Sequence, residues 1–259
     1  MKLESLNYEY LKHKDKKKTL VFIHGFLGSN KIWKPILSTL SVNYSLLLIE
    51  LPGHGKSSEN QSFELTEIAS NIQTITNHLQ LSKVCLIGHS VGGYVAGTFA
   101  TMYPEEVSEI VLINSSLLGD SQQKKQDRDK AIRAVNISPP NFTKQLIESL
   151  FLPANIKNLS NEIAEIQSDA KTISKETIKK FLIAMRDRKE TLTQLSELKK
   201  PVLYIASIYD KTIPYPIISN QIGSCNSTLL ELKDSAHMSF IEEKNKVADG
   251  IKSFLLSLI

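Results

Sequence analysis

Short, continuously apolar runs separated by helix-patterned segments constrain this chain more than any other feature. The runs are Thr19–Ile23, Tyr44–Ile49, Lys83–Ile87, Ile110–Ile113, Pro201–Ala206 and Thr228–Leu232. Between them, Ile32, Trp33, Ile36, Leu37 and Leu40 fall at helical spacing, as do Leu65, Ile68, Ala69, Ile72, Ile75 and Leu79. Ser29 or Asn30 supplies an N-cap for the first of these helices, and Pro35 suits its first turn. Lys246 to Leu258 reads as a closing helix. Such alternation predicts a mainly parallel sheet with crossover helices. Leu3 to Leu11 and Thr19 to Ile23 are expected to open the chain as an antiparallel pair.

The rhythm breaks once. From about Leu117 to Leu198 no strand pattern occurs, and the composition turns helical and charged over 122–135, 143–151, 160–172 and 175–188. Consecutive helices of this kind need something against which to bury their apolar faces.

The run Lys83–Ile87 is followed by Gly88-His89-Ser90-Val91-Gly92 and then by helix-forming Tyr94–Ala100. A G-x-S-x-G pattern arises by chance in roughly one chain of this length in ten, so the pattern alone assigns nothing. Its placement between a strand and a helix does more, because a serine on a strained strand-to-helix turn is held out at the top of a sheet. The helix N-terminus behind it favours negative charge on a nearby oxygen.

Composition excludes several classes. The formal net charge of +4 comes from 31 basic against 27 acidic residues, which are scattered. The densest basic run, Lys12 to Lys18, lies between two strand-like segments and reads as a solvated turn rather than a nucleic-acid patch. No apolar run reaches membrane-spanning length, and no leader-like apolar segment opens the sequence. Cys85 and Cys225 read as reduced structural thiols, so a cytoplasmic location is expected. No Cys, His and carboxylate cluster has metal-ligand spacing, and neither metal nor cofactor is expected. Gly53-His54-Gly55-Lys56-Ser57 imitates the tail of a phosphate-binding loop but has Glu50 where such a loop needs glycine. Gly88 to Gly93 fails as a dinucleotide fingerprint because Ser90 occupies its second glycine position.

Further motifs complete the pattern. His24-Gly25-Phe26 ends one strand, Leu51-Pro52-Gly53-His54-Gly55 follows another, Asp210 follows Pro201–Ala206, and His237 sits in a late loop. In these motifs, from the first strand to the last helix, the chain strongly resembles the α/β-hydrolase family, whose members carry nucleophile, acid and histidine in this order. The resemblance implies an eight-stranded, mainly parallel sheet with helices on both faces. It also implies a core of residues 1–116 and 199–259 and a helical cap of residues 117–198. Ser90, Asp210 and His237 are the implied catalytic residues, and the N–H groups of Val91 and Phe26 the implied oxyanion hole. His24 and His54 take structural places, and the side chain of His89 is expected to point away from the Ser90 apex.

The acid keeps rivals. The family usually shows a glycine three residues before it, and here that stretch is Ser207-Ile208-Tyr209-Asp210. Asp120 and Asp234 are the alternatives. Phe26, Trp33, Phe151, Met185 and Met238 are candidate pocket residues. Arg128, Arg133, Arg186 and Arg188 all fall in the expected cap and form no evident acidic-substrate pocket. The expected activity is hydrolysis of a small-to-medium carboxylic ester or thioester, with a small-molecule ester as substrate and neither nucleic acid nor membrane as partner. Carbon–carbon bond cleavage of a dicarbonyl metabolite and a ligand-binding receptor with little turnover are the alternatives.

Overall fold

A computed structural model describes residues 6–15 and 18–258. The first half of the chain alternates as β1 (Tyr8–Leu11), β2 (Thr19–Ile23), α1 (Lys34–Ser41), β3 (Ser45–Ile49), α2 (Leu65–His78), β4 (Val84–His89), α3 (Val91–Met102) and β5 (Val107–Ile113). Five helices follow without a strand: α4 (Gln122–Ile137), α5 (Pro139–Ser149), α6 (Ser160–Ala170), α7 (Lys175–Asp187) and α8 (Leu192–Leu198). The sheet resumes with β6 (Pro201–Ser207), α9 (Tyr215–Ser219), β7 (Asn226–Leu232), α10 (Ser239–Glu242) and α11 (Lys244–Leu256).

The strands form one sheet in the order β1-β3-β2-β4-β5-β6-β7, parallel except for β1. Helices cover both faces, with α2 and α8 packed on α3, and α1 packed on α11. That coverage explains the continuous apolar runs: β2, β3 and β4 are buried along their whole length. The edge strands β1 and β7 are only partly buried.

Two sheet expectations need correction. Seven strands are found among the described residues, not eight, and Leu3, Glu4 and Ser5 of the expected opening strand lie outside those residues. β1 does not pair with β2. Both edges of β2 are taken by β3 and β4, so β1 reaches the free edge of β3 instead, with Tyr8 opposite Ile49 and Leu11 opposite Leu46. The helix expected over Lys31–Leu40 starts as a 3-10 turn at Asn30–Trp33, capped by the Ser29 hydroxyl, before continuing as α1.

The sheet positions the site through α3. Burial of this helix on all sides removes any amphipathic stripe: every residue from Val91 to Ala100 is buried. Its first turn presses against β2. A Cβ at Gly92 would collide with the Ile23 carbonyl, and one at Gly88 with the Gly92 carbonyl, so only glycine permits this approach.

Candidate active site

Ser90 occupies the turn between β4 and α3 with φ 51° and ψ −118°, a backbone region that a side-chain-bearing residue adopts at a cost of about 1–3 kcal/mol. The surrounding structure enforces it. The Ser90 N–H donates to the Ile113 carbonyl at 3.1 Å, and the Ser90 carbonyl accepts from Gly93 N–H at 2.9 Å and from the Ser115 hydroxyl at 2.7 Å.

His237 and Asp210 meet at the carboxyl ends of β6 and β7. Asp210 Oδ2 lies 2.8 Å from His237 Nδ1, and both side chains are buried. The second carboxylate oxygen accepts from the N–H groups of Thr212 (2.8 Å) and Ile213 (3.0 Å), and Oδ2 also accepts from the Asn114 amide at 2.9 Å. Burial pushes this carboxyl up, but the His237 charge and these hydrogen bonds outweigh it and hold it below the usual aspartate range. Asp210 is therefore an anion at neutral pH, oriented by a turn that needs no glycine at Ser207. The Ser207 hydroxyl instead contacts Asn114 and Ser235.

The rival acids are occupied elsewhere. Asp120 pairs with Arg128 and Arg188. Asp234 is exposed and pairs with Lys246.

The His237 loop is held from several sides. The N–H of His237 donates to the Leu150 carbonyl at 2.9 Å, at the end of α5. Glu242 accepts from the N–H groups of Ala236 and Leu152, both at 2.8 Å. His89 Nε2 lies 3.0 Å from the His237 carbonyl and donates to it, which leaves Nδ1 as a lone pair with no partner among the described residues. The His89 ring meets Trp33 and Phe240 edge-on, with centroids 6.5 and 4.8 Å away, and lies tilted against the His237 imidazole with centroids 4.8 Å apart. His89 thus borders the site it was expected to avoid.

Ser90, His89 and His237 line one cavity with Phe26, Arg128, Leu146, Leu150, Met185 and Thr212. Its volume is about 40 Å³, room for about one water molecule. Of the expected pocket residues, Phe26 and Met185 line it, whereas Trp33, Phe151 and Met238 do not. Trp33 is a core residue that meets Phe22 edge-on and Phe240 at a tilt, with centroids 5.1 and 4.7 Å away. Met238 is buried in the core, and Phe151 borders a separate surface cleft. The N–H groups of Phe26 and Val91 make no hydrogen bond to another described residue. Gly25 packs against His89 and Ser90 so tightly that a Cβ there would meet the imidazole ring, which brings the Phe26 turn beside the elbow.

His24 and His54 are buried behind this turn. His24 accepts from Leu51 N–H and His54 from Leu27 N–H, so both loops hang on neutral imidazoles. Glu50 accepts from the Asn7 amide and Lys56 N–H, which fixes the loop that imitates a phosphate-binding motif.

No group of metal-binding side chains occurs among the described residues, and no described helix is long and apolar enough to cross a membrane. Sequence reasoning set His89 aside, read Arg128 as one of four scattered cap arginines, and gave Asn114 and Glu242 no role. Only Arg128 carried a signal, since it falls in phase with Ala131, Ile132 and Val135 on the inner stripe of α4.

Comparison with known proteins agrees with this fold. The chain is 27% identical over 253 residues to an uncharacterised hydrolase, YugF, of Bacillus subtilis, an alignment covering 92% of this chain and 90% of the relative. It is 25% identical to a 2-hydroxy-6-oxononadienedioate/2-hydroxy-6-oxononatrienedioate hydrolase of Paraburkholderia phymatum, over 78% of this chain and 74% of that one. Among solved structures, a thermophilic esterase from Thermogutta terrifontis superimposes with a TM-score of 0.89 at 23% identity, covering 97% of this chain and 93% of the other. The sequence model described as alpha/beta hydrolase fold matches residues 18–244, which takes in the Ser90 elbow, Asp210 and the His237 loop. From β2 into α11, the chain belongs to the alpha/beta hydrolase fold family.

Proposed function

We propose that this protein is a serine hydrolase that cleaves small-to-medium carboxylic esters or thioesters through an acyl-enzyme. The observation that carries this reading is the 2.8 Å contact between His237 Nδ1 and an anionic Asp210, with His237 and the strained Ser90 lining one cavity. Asp210 fixes the tautomer in which Nδ1 carries the proton, leaving Nε2 free to act as base. Ser90 Oγ attacks the carbonyl carbon while His237 Nε2 takes its proton. The carbonyl oxygen gains negative charge and is met by the N–H groups of Val91 and Phe26. Each such donor contributes about 3–4 kcal/mol to lowering the barrier. The alcohol or thiol leaves with the proton from His237, and water repeats the sequence on the acyl-enzyme to release the acid.

Residues 117–198 serve as the cap and the remainder as the core. In support, Phe181 of α7 packs on Phe26 and His54, with centroids 6.2 and 5.0 Å apart, and Leu146, Leu150 and Met185 line the cavity beside Ser90. A roof of this kind limits acyl length and excludes water. Carbon–carbon bond cleavage is the second reading, favoured by the presence of Arg128 on the cavity wall and by the dienedioate hydrolase relative.

The test is turnover against p-nitrophenyl esters from two to twelve carbons. Many equivalents of the short esters cleaved per protein, with kcat/KM falling as the chain lengthens, is the expected result. A burst of about one equivalent without turnover would instead favour a receptor, and a preference for the longest chains would remove the small-substrate reading.

A further inference from the structure

Arg128 is unlike the other arginines of the helical segment. Arg186 is tied to Asp129 and Asp187 in a largely exposed cluster. Arg188 is buried beside a different cleft, where it bonds Asp120 and two backbone carbonyls and stacks on Tyr94 at 3.7 Å. Arg133 is exposed. Arg128 alone lines the cavity that holds Ser90 and His237. Its Nε donates to Asp120 at 3.1 Å, and its side chain is only 13% exposed. Its two terminal amino groups make no hydrogen bond to any described residue.

An arginine held by Nε alone presents its outer fork, with up to four N–H donors, to whatever fills the space beside it. The charge around it is unbalanced in the same sense. One carboxylate, Asp120, is shared between two guanidinium groups, Arg128 and Arg188. Lys124, one turn earlier on α4, adds a third cation and donates to the Thr212 carbonyl at 2.9 Å. Asp210, the carboxylate bonded to His237, has both oxygens engaged by His237, Asn114 and the Thr212–Ile213 backbone. Asp127 lies outward, bonded to Lys130 and Gln123. Thr212 also lines the cavity, and its hydroxyl has no partner among the described residues.

We infer that Arg128, with the Thr212 hydroxyl, binds a carboxylate carried by the substrate, so that the preferred ester is a half-ester of a dicarboxylic acid or a similarly anionic acyl compound. Arg128 is thus a specificity residue, and this assignment rests on the serine hydrolase reading above. A carboxylate in a low-dielectric pocket gains a bidentate, charge-assisted pair that a methyl group of the same size cannot form. The isosteric neutral ester also leaves the guanidinium fork unpaired beside apolar Leu146 and Met185, which widens the discrimination.

The experiment compares monomethyl glutarate with methyl pentanoate, which differ only by a terminal carboxylate in place of a methyl group. Hydrolysis is followed by proton release. In the unaltered chain the half-ester is expected to have a kcat/KM at least tenfold higher, mainly through KM. Arg128→Gln should bring this ratio down at least tenfold, Arg128→Lys should restore part of it, and Arg133→Gln should leave it as it was. Because the ratio is internal to each protein, overall damage to folding does not move it. A ratio of one or less in the unaltered chain, or a ratio indifferent to Arg128, overturns the inference. If neither ester is cleaved, the hydrolase reading fails on its own, and calorimetric binding of glutarate decides the anion site: tenfold weaker binding in Arg128→Gln upholds it, and equal or absent binding in both proteins overturns it.

Discussion

The side chains around His237 show how single residues set the geometry of the site. Asp210 owes its orientation and its charge to what donates to it: two backbone N–H groups, the Asn114 amide and the imidazole itself. Asn114 is in turn fixed by the Ser239 hydroxyl on its carbonyl oxygen and by its own left-handed backbone at φ 45°. Asp210→Asn removes the charge that stabilises the imidazolium and presents the wrong tautomer, so kcat should fall by about 10⁴-fold with little loss of fold. Asp120→Asn should change kcat by less than about tenfold, since Asp120 touches only arginines. Steady-state kinetics on p-nitrophenyl acetate read both, and the reverse ranking would move the acid to Asp120. The motif residues Ser90, Asp210 and His237 could be picked out from sequence because the motifs around them follow the order that the family resemblance implies. Asn114 and His89 could not be assigned, because their partners lie 96 and 148 positions away, in Asp210 and His237, with no local pattern linking them.

Elements were legible to the extent that burial leaves a pattern. The inner strands are buried on both faces and read as unbroken apolar runs, and α2 shows its inner stripe at Leu65, Ile68, Ala69, Ile72 and Ile75. The pairing of β1 was not legible, since strand order depends on which sheet edge remains free rather than on sequence neighbours. Trp33 and Met238 were misplaced for a related reason: an apolar side chain near a motif reads the same whether it faces a cavity or a core. The helical segment is uneven in its anchoring. α7 buries Thr177, Ile178, Phe181, Leu182, Ala184 and Met185, whereas α4 buries only Val135 along 16 residues. The cavity beside Ser90 has a volume of about 40 Å³, and α4 has the fewest buried residues for its length of the helices lining it, which makes it the element expected to move when an ester enters. Amide hydrogen exchange should therefore be at least tenfold faster across α4 than across α3 or α7. Equal protection of α4 and α7 would place the opening elsewhere.

At the scale of the whole molecule, buried neutral histidines tie stability to pH. Burial, with the neighbouring His54 charge, lowers His24 to about 3, and burial lowers His54 to about 4. Burial first, and the His237 charge second, hold His89 well below the ordinary value. In the unfolded chain these imidazoles protonate near 6.5. Between pH 6.5 and 4 the unfolded state thus binds more protons than the native one, and stability falls as pH drops through that window. Each fully titrating histidine contributes a slope of about 1.4 kcal/mol per pH unit. The Tm should fall steadily from pH 7 to pH 4.5, and His54→Gln should flatten that fall even if it lowers the Tm at pH 7. A Tm independent of pH across this range would contradict the burial of these loops.

The central claim is that Ser90 is an activated nucleophile driven by His237. Its most direct measurement is labelling with a fluorophosphonate, followed by mass spectrometry of the peptide that contains residues 84–102. The expected result is one equivalent of phosphonyl adduct on Ser90, lost in Ser90→Ala and slowed by at least a thousandfold in His237→Ala, with both variants folded. Adduct on another residue, or labelling of Ser90 that is indifferent to His237, would contradict the account.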